Sequence, residues 1–211
     1  MKRLVGYFSK GELWLWGMSV VLIVGSFCAF DRENFLTLAA SLIGVTSLIF
    51  NTFSYYGEML TYLGMTMPMA VFALVSWLRH PHGGNKAEVK VNTLERKEIA
   101  GMWLLTAAVT VSFYFVLDAF HTANIVPSTL SVTTSFVAVY LTFRRSPFFA
   151  LGYAANDMVL IVLWVLASLA DARYVSVVVC FAAFLVNDLY GFVSWQKMKK
   201  RQRADDAAVK A

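Results

Sequence analysis

Long apolar runs separated by short polar joints dominate this chain. Seven can be read, at residues 13–30, 35–53, 59–78, 99–117, 126–143, 148–170 and 174–196. Their lengths, roughly 18–23 residues, suit helices that rise 1.5 Å per residue through a hydrocarbon layer ~30 Å thick. Helices are the expected form, because lipid offers no partner to an open backbone amide. The 3.6-residue period is blurred within each run, as in helices that are apolar on most sides. The joints carry the punctuation. Residues 31–34 and Gly57-Glu58 break the early runs, and residues 122–127, 144–147 and 171–173 the later ones. The longest polar stretch, residues 79–98, contains Pro81, Gly83 and Gly84. The pattern predicts an all-α, polytopic membrane protein with seven readable helices.

Composition agrees with the pattern. Of the 211 residues 59% are apolar and 15% charged, against about 25% charge in a soluble domain. Mean hydropathy is +0.63. The net charge of +5 comes mainly from Lys86, Lys90, Arg96, Lys97 and the basic cluster at residues 197–203. Basic residues beside membrane helices mark the cytoplasmic side, which is preferred here to a nucleic-acid patch. Residues 13–30 follow Lys2 and Arg3 as a signal sequence would, but Asp31-Arg32-Glu33 comes next with no small-residue cleavage site. An uncleaved first helix is therefore expected. Cys28 and Cys180 both sit inside apolar runs and read as small core residues rather than a disulfide or a metal pair.

The chain also repeats itself. Val75-Ser76-Trp77 ends the third run and Val193-Ser194-Trp195 the seventh, at an offset of 118 residues that also sets Tyr56 over Tyr174. Residues 41–50 resemble residues 131–143. Repeated bundles are a common transporter plan. In the second half a whole helix, residues 148–170, separates Phe143 from Tyr174; in the first half only five residues separate Phe50 from Tyr56. The first bundle is thus expected to lack one helix near residues 51–55. Charge bias leads to the same expectation: with seven crossings, Lys2, Arg3 and Lys10 fall opposite the other basic clusters, and one extra crossing reunites them.

No phosphate loop, nucleophile elbow or zinc spacing is present. His80, His82 and His121 are scattered over loops, so neither a metal site nor a catalytic site is expected, and no cofactor. Polar residues deep in the apolar runs are more informative. Thr133-Thr134-Ser135, Asn156-Asp157 and Asn187-Asp188 lie eight or nine residues from the ends of their runs, roughly 12–14 Å into the membrane. Three helices thus place hydrogen-bonding groups at one level. Such groups mark a substrate path, or else bond helix to helix. Aromatic residues flank the level: Trp164, Tyr190 and Trp195, with Gly191 leaving room beside them. Their faces suit a flat or cationic ring, although Trp195 also fits an interfacial anchor. The repeat sets Met69 and Ala70 against Asn187 and Asp188, so the second bundle should dominate binding.

Tyr56-Gly57-Glu58, Pro68-Met69, HTANIVPSTL at 121–130, FRRSP at 143–147, AANDMVLIVLW at 154–164 and LVNDLYGFVSW at 185–195 together resemble the PnuC family of nicotinamide riboside transporters. The resemblance covers nearly all of residues 35–200. It implies two SWEET-like three-helix bundles joined by a linking helix, a homotrimer in membrane lipid, and facilitated diffusion in a bacterial inner membrane with the C-terminus cytoplasmic. The implied layout is an extra leading helix (1–34), a first bundle short by one helix (35–78), a cytoplasmic loop (79–98), the linking helix (99–125), a second bundle (126–197) and a basic tail (198–211). The family's paired aromatics at the end of each bundle match Phe192 and Trp195, and Trp77 with Leu74 in the other place. Relatives carry a Gly-Asn-Pro segment and a further helix where this chain runs from Asn51 to Tyr55. The implied substrate is a small molecule, nicotinamide riboside, held by Ser135, Thr134, Asn156, Asp157, Trp164, Asn187, Asp188, Tyr190, Trp195 and Trp77, with no nucleic-acid partner. The alternatives are a related thiamine or riboflavin transporter, and a non-transporting subunit or deletion variant.

Overall fold

The computed structural model describes residues 62–208, apart from Gly84 and Ala123. The runs at 13–30 and 35–53 and the junction near Asn51–Tyr55 lie outside the described residues. A short π-helical turn, Tyr62–Thr66, leads into helix α1, Met67–Leu78, with Pro68 in its first turn. Proline suits that place, because the first amides of a helix have no internal acceptor. Four longer helices follow: α2 (Arg96–Ala119), α3 (Ile125–Phe143), α4 (Phe149–Ala170) and α5 (Val175–Ala208). All four are long and apolar enough to cross a membrane. The chain is a mostly helical, multi-pass membrane protein.

Two departures from the sequence pattern occur among the described residues. The polar stretch 79–98 contains a small antiparallel hairpin, β1 (Pro81–His82) and β2 (Asn85–Val89), so the chain is not purely helical. Gly83 supplies the positive φ, +56°, at its turn. The basic segment after residue 197 is no separate tail, since α5 continues unbroken to Ala208.

Helix α4 is the centre of the described bundle, packed against α3 on one side and α5 on the other. The α3–α4 seam is close because Gly152 has no side chain: a Cβ there would lie 2.8 Å from the Ala138 Cα. Small residues bring membrane helices together in this way. Helix α2 leans on α3 and turns Trp103, Leu104 and Phe115 outward, as expected of a lipid-facing helix. Its start is held by a capping box, in which Glu95 accepts from the helix's third residue and its own amide donates to Glu98.

The hairpin and the end of α5 clasp each other. The Gln202 amide nitrogen donates to Glu88 Oε1 and to the Val89 carbonyl, both at 2.9 Å, and its oxygen accepts from the Val91 amide, also at 2.9 Å. Gln202 is only 4% exposed, in an otherwise exposed helical segment. Arg201 adds an ion pair to Glu88 at 2.6 Å. Burial raises the Glu88 carboxyl, but hydrogen bonds from Arg201 and Gln202, with the charges of Arg201 and His82, outweigh it and hold its pKa below the usual value.

Candidate functional site

Most of the predicted polar and aromatic residues gather in three groups between α1, α3, α4 and α5, an aromatic layer and, at a second level, an acid pair and a hydroxyl cradle. The layer nearest the hairpin is aromatic. Trp77 ends α1 and meets Trp195 of α5 with ring centroids 5.1 Å apart, while Phe149, the first residue of α4, stands edge-on to Trp195 at 4.9 Å. Trp77 is pinned by its indole N–H, which donates to the Thr142 carbonyl at 3.0 Å, and Ser76 donates likewise to the Phe143 carbonyl. The end of α1 is thereby bolted to the end of α3. Tyr153 packs in the same cluster, edge-on to Phe149, and its hydroxyl hydrogen-bonds the Thr142 side chain.

The second layer is a pair of acids. The carboxyl groups of Asp157 and Asp188 lie within hydrogen-bonding reach of each other, and both act electrostatically on Tyr153. Asp157 is 5% exposed, and its Oδ2 has no hydrogen-bond partner among the described residues. Two carboxylates this close in a low-dielectric space repel, so a cation or a shared proton between them is favoured. Asp188 precedes Trp195 by seven residues on α5, which puts this layer ~10 Å from the aromatic one.

The third group is a hydroxyl cradle around Asn156. Its side-chain oxygen accepts from Ser131 at 3.2 Å, Thr134 at 2.9 Å and Ser135 at 2.9 Å. Asn156 is buried, and the bonds join α3 to α4. Asn187 is buried beside this level at 2% exposure.

The predicted residues thus separate. Trp77 and Trp195 meet, Asp157 and Asp188 meet, and Thr134 and Ser135 meet Asn156. Trp164 stands elsewhere: it is fully buried among Leu160, Leu163 and Phe181, and its ring contacts Tyr174 at 5.4 Å. Fifteen residues of α4 separate Trp164 from Phe149, so it sits ~22 Å along the helix from the Trp195 cluster. One bound ring has room against only one of these two tryptophans. Tyr190 is 53% exposed on the outer face of α5. Sequence reasoning passed over Phe149, Tyr153 and Thr142. Phe149 and Tyr153 precede Asp157 by two turns and one turn on α4, a periodicity that would have found them. Among the described residues no cluster of His, Cys, Asp and Glu is fit to hold a metal.

A family model described as nicotinamide mononucleotide transporter matches residues 9–197. The nicotinamide riboside transporter PnuC of Neisseria mucosa is 26% identical over 199 residues, covering 88% of this chain and 74% of that protein. A crystal structure of the vitamin B3 transporter PnuC has a similar fold, with a TM-score of 0.72 at 22% identity, covering 92% of this chain and 85% of that chain.

Proposed function

Because the chain belongs to the nicotinamide mononucleotide transporter family, we propose that it carries nicotinamide riboside across the bacterial inner membrane by facilitated diffusion. The observation that carries this reading is the stacking of a carboxyl pair behind an aromatic cluster. Nicotinamide riboside joins a flat, cationic ring to a hydroxyl-rich sugar. The ring suits the faces of Trp77 and Trp195, where a cation gains from the π-electrons. Asp157 and Asp188 attract its charge. Asn187 and the hydroxyls around Asn156 are fitted to the ribose.

In the present conformation the indoles of Trp77 and Trp195 touch. Passage toward the hairpin side requires them to part, and the ligand ring to take the place of one indole face against the other. Trp77 closes the first half of the repeat and Trp195 the second, so the separation is a movement of one half against the other. The reading includes two SWEET-like bundles with α2 as the linking helix, a homotrimeric assembly, and hairpin and α5 end on the cytoplasmic side. The basic residues of that end support the orientation.

Uptake of labelled nicotinamide riboside into vesicles reconstituted with the purified protein tests the reading. Uptake is expected to saturate, and to be competed by unlabelled riboside more strongly than by thiamine. Uptake no greater than that of empty vesicles would exclude it, and stronger competition by thiamine would move the assignment to that vitamin.

A further inference from the structure

A recess lies outside the groups described above. A groove of about 380 Å³ opens where the first turns of α2 stand away from α3 and α4. Its walls are apolar, built from Leu94, Ile99, Met102, Trp103 and Leu151, and Lys199 of α5 reaches it from the hairpin side. Ile99, Trp103 and Leu151 are exposed, so the groove faces outward along α2, the lipid-facing helix. It therefore spans the boundary between the apolar belt of the helices and the basic end of the protein.

Lys199 puts a positive charge at its mouth and, among the described residues, is the only charged residue of its lining. The carboxylates of the neighbouring segments are engaged elsewhere: Glu95 in the cap of α2, Glu98 with Arg144, and Glu88 with Arg201 and Gln202. Burial and the nearby charge of Arg203 hold the Lys199 ammonium below the usual lysine range, so an anion beside it would relieve both effects. Trp103 borders the groove as an amphipathic ring does at a membrane interface.

We propose that this groove binds one anionic phospholipid, with an acyl chain along Ile99, Met102 and Leu151 and the headgroup phosphate at Lys199. An apolar slot alone would take any lipid, and a lysine alone any anion. The two together select a molecule that is apolar along its length and negative at one end. Basic pockets between membrane helices hold anionic headgroups by this combination. The assignment does not depend on which molecule the transporter carries.

Native mass spectrometry of the delipidated protein, given phosphatidylglycerol or phosphatidylcholine of identical chains, tests it. The expected result is several-fold greater retention of phosphatidylglycerol, reduced to the phosphatidylcholine level by Lys199→Glu and partly reduced by the milder Lys199→Gln. Lys97→Glu, which changes a basic residue outside the groove lining, should leave retention unchanged. Leu151→Trp, which fills the slot, should lower retention of both lipids. Glycerol phosphate, which has no acyl chain, should not be retained. Equal retention of the two lipids by the unaltered protein would overturn the proposal. So would undiminished retention in Lys199→Glu or Leu151→Trp, or an equal loss in Lys97→Glu.

Discussion

Trp77 and Trp195 each end a Val-Ser-Trp triplet, 118 residues apart in sequence, and in the structure their rings meet at 5.1 Å. The contact depends on a third element, because Trp77 is oriented by the Thr142 carbonyl at the end of α3. Trp77→Phe keeps an aromatic face but loses that donor, and a hydrogen bond of this kind contributes roughly 0.5–1.5 kcal/mol. Riboside uptake should fall by roughly two- to tenfold with normal expression, whereas Trp77→Ala should abolish it. Equal uptake by the Phe variant and the unaltered protein would show that the indole N–H is not needed for function.

Asp157 and Asp188 should respond to ligand charge rather than to ligand shape. Asp157→Asn and Asp188→Asn, measured separately, are expected to weaken competition by cationic nicotinamide riboside and to spare its neutral, reduced form. If both forms weaken equally, the acids hold the bundle together and do not sense charge.

Asn156 ties α3 to α4 through Ser131, Thr134 and Ser135. Asn156→Leu removes the common acceptor of three hydroxyls, and a cost of about 1–3 kcal/mol follows. A lower thermal midpoint in detergent is the expected reading, and Asn156→Asp, which still accepts from all three hydroxyls, should recover part of it.

Gly152 is held to its size by the Ala138 backbone. Gly152→Val forces α3 and α4 apart, at about 1–3 kcal/mol for an overpacked seam. Thermal stability should drop while Gly101→Val, whose Cβ would meet nothing within 4 Å, has little effect.

The clasp between the hairpin and α5 should be acid-sensitive. The folded pKa of Glu88 is depressed below its ordinary 4.5, so its contribution is fully present above that value. The contribution is lost as pH falls through the lower folded value. Hydrogen exchange at the Val91 amide, which donates to Gln202, should accelerate at the acid end of that window. Gln202→Leu should expose the same amide at neutral pH, and unchanged exchange there would show that the hairpin stands without the clasp.

The membrane-spanning helices were legible in the sequence because apolar length is a local property. Each residue in a run of about twenty contributes to crossing whatever its eventual neighbours, and α2, α3 and α4 lie within a few residues of the runs that foretold them, while α5 starts where its run does and continues to Ala208. That the polar clusters share a level was legible too, since position along a helix follows from 1.5 Å per residue, and Thr134 and Ser135 do meet Asn156 as Asp157 meets Asp188. Direction around the helix was not. Asn156 and Asp157 are neighbours in sequence, yet one accepts from three hydroxyls of α3 and the other meets Asp188 of α5. Adjacent side chains on a helix diverge by about 100°, so the packing of α4 between two partners decided their roles. Packing likewise separated Trp164 from Trp195, which sequence had grouped as flanking aromatics. The hairpin and its clasp belong to the tertiary structure alone: strands as short as Pro81–His82 carry no periodic signal, and Gln202 is buried only because the far end of α5 returns to Val89 and Val91.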